Sequence, residues 1–249
     1  ANDQGGAAIL GVHNASGEAV VGRTFSHTAA GVVGRNDGTY AGVRGYNAVD
    51  NGTGVLAQAN VDGALNGTAL VAELQAGDGN TAVFKANGVN VARIDHTGKG
   101  YFNGGTVAGG ADVAEYFEVN GNKSAYEPGD VLIIDQHSDR KVEKSSKPYS
   151  TLVAGVYATK PGLYLTEENA EQNRLDDMVP MGVIGVIPTK VCLEGGAINR
   201  GDLLVTSSLP GVAMKADPEK VKVGQVLGKA LQNFDGLAVG KISVLVSVK

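Results

Sequence analysis

Through the N-terminal part of the chain the apolar positions come in tetrads rather than in helical stripes: Ala8-Ile9-Leu10-Gly11, Ala19-Val20-Val21-Gly22, Gly31-Val32-Val33-Gly34, Gly42-Val43-Arg44-Gly45 and Gly54-Val55-Leu56-Ala57. Their starts fall 11, 12, 11 and 12 residues apart, which is the mark of a repeat architecture. Between them lie Asn36-Asp37-Gly38, Asp50-Asn51-Gly52, Asp62-Gly63 and Asn66-Gly67, turn formers whose Asn and Gly tolerate positive φ. Each unit is expected to be one short strand plus a turn. Ala69-Leu70-Val71-Ala72, Ala82-Val83-Phe84 and Val89-Asn90-Val91-Ala92 read as looser echoes of the same unit.

A repeat this short supplies about one buried β face, whereas a solenoid coil closed within one chain needs two or three. The missing faces come either from neighbouring repeats, as a meander folded into a sandwich, or from two further copies of the chain wrapped into a threefold shaft. Small residues around one central aliphatic suit a narrow axis where backbones approach closely, so Val20, Val32, Val43 and Val55 are the candidate axis residues.

The pattern changes near residue 110. Residues 1–110 hold 23 of the 37 glycines and no proline, while all seven prolines follow. This predicts two domains, 1–105 and 106–249, joined around the glycine-rich stretch from Gly104 to Gly110. In the second, Glu127-Pro128-Gly129-Asp130-Val131-Leu132 and Asn199-Arg200-Gly201-Asp202-Leu203-Leu204 each end a turn in Gly-Asp and launch an apolar strand, 72 residues apart. Strands with a central glycine recur at Leu152–Val156, Val183–Ile187 and Val226–Ala230, and Ile242–Val248 alternates. The expectation is an all-β chain: a glycine-rich β-shaft followed by a compact β-barrel or β-clip domain built by internal duplication. Thr166–Asp177, strongly polar, is expected to be an exposed loop or short helix.

Charge and composition narrow the chemistry. A net charge of -5 and aromatics at 5% do not make a nucleic-acid groove, which needs a basic face. The longest uncharged apolar stretch, Val179–Ile187, is too short to span roughly 30 Å of hydrocarbon, so no membrane insertion is expected. Cys192, the single cysteine, has no partner for a disulfide and reads as a buried thiol on a strand. A start at Ala1 reads as a removed leader or as a piece of a longer chain. His13, His27, His96 and His137 form no metal-ligand spacing, Ser207-Ser208 lacks a nucleophile elbow, and Gly98-Lys99-Gly100 fits no nucleotide fingerprint. No cofactor is expected. Arg200-Gly201-Asp202 reads as turn punctuation, and the Asn-x-Ser/Thr triplets at Asn14, Asn51 and Asn66 carry little weight.

At Gly109-Gly110-Ala111-Asp112-Val113-Ala114-Glu115-Tyr116-Phe117-Glu118 the chain resembles the C-terminal regions of phage tail and neck-appendage fibres and related bacterial surface fibres. The likeness continues through Glu127–Leu132, Val153–Val156, Arg200–Lys215 and Gly224–Leu231, and covers roughly residues 98–249. It implies a homotrimer on a virion or cell surface whose C-terminal module registers three chains, in some members as an intramolecular chaperone that cleaves itself off. The acidic residues implicated in such self-cleavage map onto Asp112 and Glu115, which would share a helix face but point oppositely on a strand. The leading expectation is a non-enzymatic fibre for surface attachment or recognition of a host receptor or glycan. The alternatives are an autoproteolytic chaperone domain and a subunit of an extracellular filament. Tyr40, Tyr46, Tyr157 and Tyr164 are candidates for exposed contacts.

Overall fold

A computed structural model describes residues 11–12, 18–25, 28–39, 41–59, 67–107, 109–166 and 175–248. The chain divides into two compact units, Ala1–Tyr101 and Phe102–Lys249. Both are built from β-structure and turns, with two single-turn 3-10 segments, Lys123–Ala125 and Leu175–Asp177.

In the first unit the repeats close on one another through glycine. A Cβ at Gly22 would meet the Gly31 carbonyl oxygen at 2.5 Å and collide with Val32 Cγ2, and the same relation links Gly34 to Gly42 and Val43, and Gly45 to Gly54 and Val55. The end of each tetrad therefore abuts the beginning of the next, and the residues between form an excursion closed at its base. Only glycine permits that approach. Asparagine shapes two of the excursions. Asn36 Oδ1 accepts from the Gly38 N–H at 2.8 Å and Asn47 Oδ1 from the Val49 N–H at 3.0 Å, and each amide donates across its loop, to the Ala41 and Thr53 carbonyls. Arg35 adds an ion pair to Asp37 at 2.7 Å.

One expectation is corrected here. The described residues from 11 to 79 form no β-ladder within the chain, so the described tetrads have no ladder partner among the described residues. The close approaches join the end of one tetrad to the start of the next. The echoes at 82–84 and 89–92 are likewise not repeat units. They lie in β1 (Asn80–Ala86) and β2 (Val89–Asp95), an antiparallel hairpin turned by Asn87 (φ 49°) and Gly88 (φ 82°), the two positive-φ positions of a type I′ turn. β3 (Gly100–Phe102) completes a three-stranded sheet. The β2–β3 connection is organised by Asp95, whose carboxylate accepts from the Thr97 hydroxyl at 2.7 Å and from the Thr97 and Lys99 amides. These bonds, the hydroxyl's first, outweigh desolvation and hold its pKa at about 2.

The second unit is one ten-stranded sheet that closes on itself twice. Its strands are β4 (Asp112–Val119), β5 (Val131–Ile134), β6 (Lys141–Lys144), β7 (Val153–Tyr157), β8 (Leu163–Leu165), β9 (Met178–Cys192), β10 (Leu203–Thr206), β11 (Ala213–Lys215), β12 (Gly228–Ala230) and β13 (Gly240–Ser247). One ring runs β9-β7-β5-β6-β4 and returns to β9; the other runs β9-β13-β12-β10-β11 and returns to β9. The 15-residue β9 is shared, its first half in one ring and its second half in the other.

The two rings repeat one pairing scheme. β4 meets β6 in parallel at Val119 and Val142; β9 meets β11 in parallel at Cys192 and Met214. Leu132 on β5 stands opposite Gly155, and Leu204 on β10 opposite Gly228. Both glycines lie where a Cβ would strike the next strand: at Gly155 it would meet the Gly182 carbonyl, and at Gly228 that of Leu245. Leu132, Val142, Val179 and Met181 fill the first ring. Leu204, Leu227, Ile187 and Val244 centre a larger cluster that extends to Ala114, Val131 and Val156, so the rings share an interior.

Candidate functional site

The duplicated Gly-Asp turns are built alike. Gly129 (φ 96°) and Gly201 (φ 90°) turn the chain; the Asp130 side chain then accepts from the Glu127 amide at 2.8 Å, and the Asp202 side chain from the Asn199 amide at 2.7 Å. Each aspartate also takes a lysine from the neighbouring strand: Asp130 pairs with Lys144 at 2.9 Å and Asp202 with Lys215 at 2.9 Å. Asp130, fully buried, gains Lys190 of β9 at 2.6 Å, and Lys190 also holds Glu127 at 2.7 Å. Burial pulls the Lys190 pKa down, but the bonds and charges of Asp130 and Glu127 outweigh it and the net shift is upward. Arg200-Gly201-Asp202 thus has its carboxylate committed to a structural clasp.

Asp112 opens β4 and is buried at 8% exposure. Its carbonyl accepts from Gly162 N–H at 2.8 Å, while its Oδ2 has no hydrogen-bond partner among the described residues and lies 3.2 Å from where a Cβ on Gly182 would sit. Burial pushes its pKa up. Beside it lies a hollow of about 310 Å³ lined by Ala111, Val113, Gly162, Leu163 and Ile184. Glu115 is on the same strand but on the other face, and its Oε1 pairs with Arg140 Nη2 at 3.1 Å. The structure therefore does not bring the two carboxylates together within one chain: a strand, with its period of two, separates what a helix would have paired.

The candidate axis valines behave as a set. Val20, Val32, Val43 and Val55 are 71%, 69%, 71% and 71% exposed, each lying over the closing glycine of the preceding tetrad. No described residue of the first unit is buried. Of the candidate contact tyrosines, Tyr46 is exposed beneath the Arg44 guanidinium and Tyr164 is half-exposed and stacked on Tyr116 at 5.3 Å. Tyr157 is a correction: it packs against the core of the first ring, because its position on β7 faces inward beside Met181. Tyr40, His13 and His27 lie outside the described residues. Thr166–Asp177 is described only at its ends, where Leu175–Asp177 form a 3-10 turn.

The remaining sequence candidates are absorbed by packing. Cys192 is buried in a cluster with Val205, Val212 and Met214. Ser207 is buried with its hydroxyl donating to the Val212 carbonyl at 2.8 Å, and the Ser208 hydroxyl donates to Glu194 at 2.7 Å. Among the described residues no group of three or more His, Cys, Asp or Glu side chains is placed to hold a metal ion, and no helix is long and apolar enough to cross a membrane. What sequence reasoning missed is the Asp130–Lys190 pair, joined by a register that no local spacing shows.

No family model matches the sequence, and a search of curated proteins likewise gives no match. Among solved structures, the chain is similar to the pre-mature gene product 12 of bacteriophage phi29, at 17% identity and a TM-score of 0.46, over 64% of this chain and 24% of that one. It is similar also to the C-terminal fragment of the same phage protein, at 17% identity and a TM-score of 0.38, over 55% of this chain and all of the fragment. The chain thus spans about a quarter of the longer of these two neighbours.

Proposed function

We propose that this chain is one strand of a homotrimeric fibre, with residues 1–105 as the shaft and residues 106–249 as a C-terminal trimerisation or tip domain. The observation that carries the reading is the contrast between the units: the second encloses its own core, while the first presents a periodic row of valines at near-identical exposure and buries none of its described side chains. Tetrads without ladder partners among the described residues leave their apolar side chains in water, which costs free energy. Two further copies in the same register would supply ladder partners and cover the valines together. The work of such a molecule is attachment, with loops presented to a host receptor or surface glycan from a virion or cell-surface appendage.

Electron microscopy of the purified full chain tests the assembly: discrete rods of uniform length are expected, and continuous filaments would favour a head-to-tail subunit instead. Self-cleavage is a second reading, favoured by one observation, the buried and incompletely bonded Asp112. Intact mass after prolonged incubation tests it. A fragment with a terminus near residues 100–125, lost in Asp112→Asn, is its expected result.

A further inference from the structure

The β1–β3 sheet is two-faced. Cross-strand register places Ala82 opposite Ile94 and Phe84 opposite Ala92, so these four share one face. On the other face Val83 stands opposite Arg93, and Arg93 lies 3.5 Å over the Tyr101 ring, 3.1 Å from Asn80 Oδ1 and 3.8 Å from Asp95. That second face carries the charged network, with Val83 and Tyr101 each 41% exposed beside it. The first carries no charge, and Phe84 remains 52% and Ile94 36% exposed.

We infer that three copies of this sheet pack their Ala82, Phe84, Ala92 and Ile94 faces together as a clamp that sets the register of the shaft, a proposal that rests on the homotrimer reading. The face is narrow: two strands of seven residues and one of three give roughly 270 Å² at ordinary strand rise and spacing. A stable interface needs about 800 Å² per partner, so the face is too small to hold an unrelated protein by itself. It is of a size to be one layer of a longer interface, and the repeats directly preceding it, with their exposed valines, supply the rest. Unlike the tetrads, which repeat and could pair one unit out of step, this sheet occurs once, so its packing admits one register.

The test uses the full chain with cysteine placed on one face or the other, Phe84→Cys or Val83→Cys, and a bismaleimide spanning about 10 Å, the separation of packed sheets. Native Cys192 is buried, and the unsubstituted chain serves as the background. Sedimentation of each protein is measured first. The expected result is a trimer in every case, with covalently joined chains on a denaturing gel for Phe84→Cys, at least tenfold above Val83→Cys. Trimers in which Phe84→Cys does not join chains, or joins them no more than Val83→Cys, overturn the clamp and leave the homotrimer standing. A monomeric unsubstituted chain overturns the homotrimer itself, and the clamp with it.

Discussion

Val32 lies directly over Gly22, its Cγ2 occupying the space a side chain on that glycine would need, while the Gly31 carbonyl closes the other side. The relation recurs between Val43 and Gly34 and between Val55 and Gly45. Gly22→Ala should therefore open the base of the excursion or displace the valine, at about 1–3 kcal/mol per chain as in other overpacked sites. Gly79→Ala, where a Cβ meets nothing closer than 3.7 Å, should be nearly silent. Thermal melting of both variants checks the difference.

Val32→Asp and Val55→Asp should each reduce assembly, because a charge at the proposed axis would be repeated on every chain without a partner. The C-terminal unit, which encloses its own core, should keep its folded signal in both. Sedimentation read alongside circular dichroism separates loss of assembly from loss of folding. Unchanged trimer yield would place these valines outward.

Replacing Asp130 with Asn should strongly destabilise the double ring. It leaves Lys190, Lys144 and the Glu127 amide around a neutral amide, and breaking a buried pair from one side costs about 3–5 kcal/mol. Asp202→Asn removes a partly exposed pair with Lys215 and should cost less. Denaturant midpoints at neutral pH rank the two.

Asp112 gives a pH dependence of known sign. Its folded pKa is raised by burial, so between the unfolded value near 3.8 and the raised folded value the native state binds more protons than the unfolded one, and stability contributed by this group falls as pH rises. Asp112→Asn should remove that slope and be equal to or more stable than the parent at neutral pH. Melting temperature against pH, with and without the substitution, reads it. A variant less stable at neutral pH would mean that the ionised carboxylate has a partner.

Residues 102–249 should fold alone and melt cooperatively, since both rings and their shared interior lie within that stretch. Residues 1–101, without a buried side chain among those described, should aggregate or stay largely unfolded when expressed separately. Hydrogen exchange on each fragment distinguishes the cases, and slow exchange in the tetrads of an isolated, monomeric N-terminal fragment would contradict the expectation.

The sequence carried the duplication through its loudest marks, Gly129-Asp130 and Gly201-Asp202, because a positive-φ glycine and a turn-capping aspartate are local requirements. It could not show that β9 serves both rings. Pro180, Pro188, Gly182 and Gly185 are all accommodated within one continuous 15-residue strand. Nor does Lys141-Val142-Glu143-Lys144 look like a core strand; it is β6 because Val142 alone faces inward while its neighbours stay partly exposed. The tetrads were legible as a repeat but not as to their partners, since the described residues from 11 to 79 form no ladder within the chain. Asp112 and Glu115 were legible as a carboxylate pair only on a helix, and tertiary pairing with β9 made the segment a strand.

We propose that the first unit acquires an interior only from other copies of itself. Sedimentation equilibrium of the full chain over a range of dilution tests it most directly. A single species at three times the 25.4 kDa chain mass that persists on dilution is expected. A stable species at 25.4 kDa with its N-terminal repeats protected from exchange would contradict it.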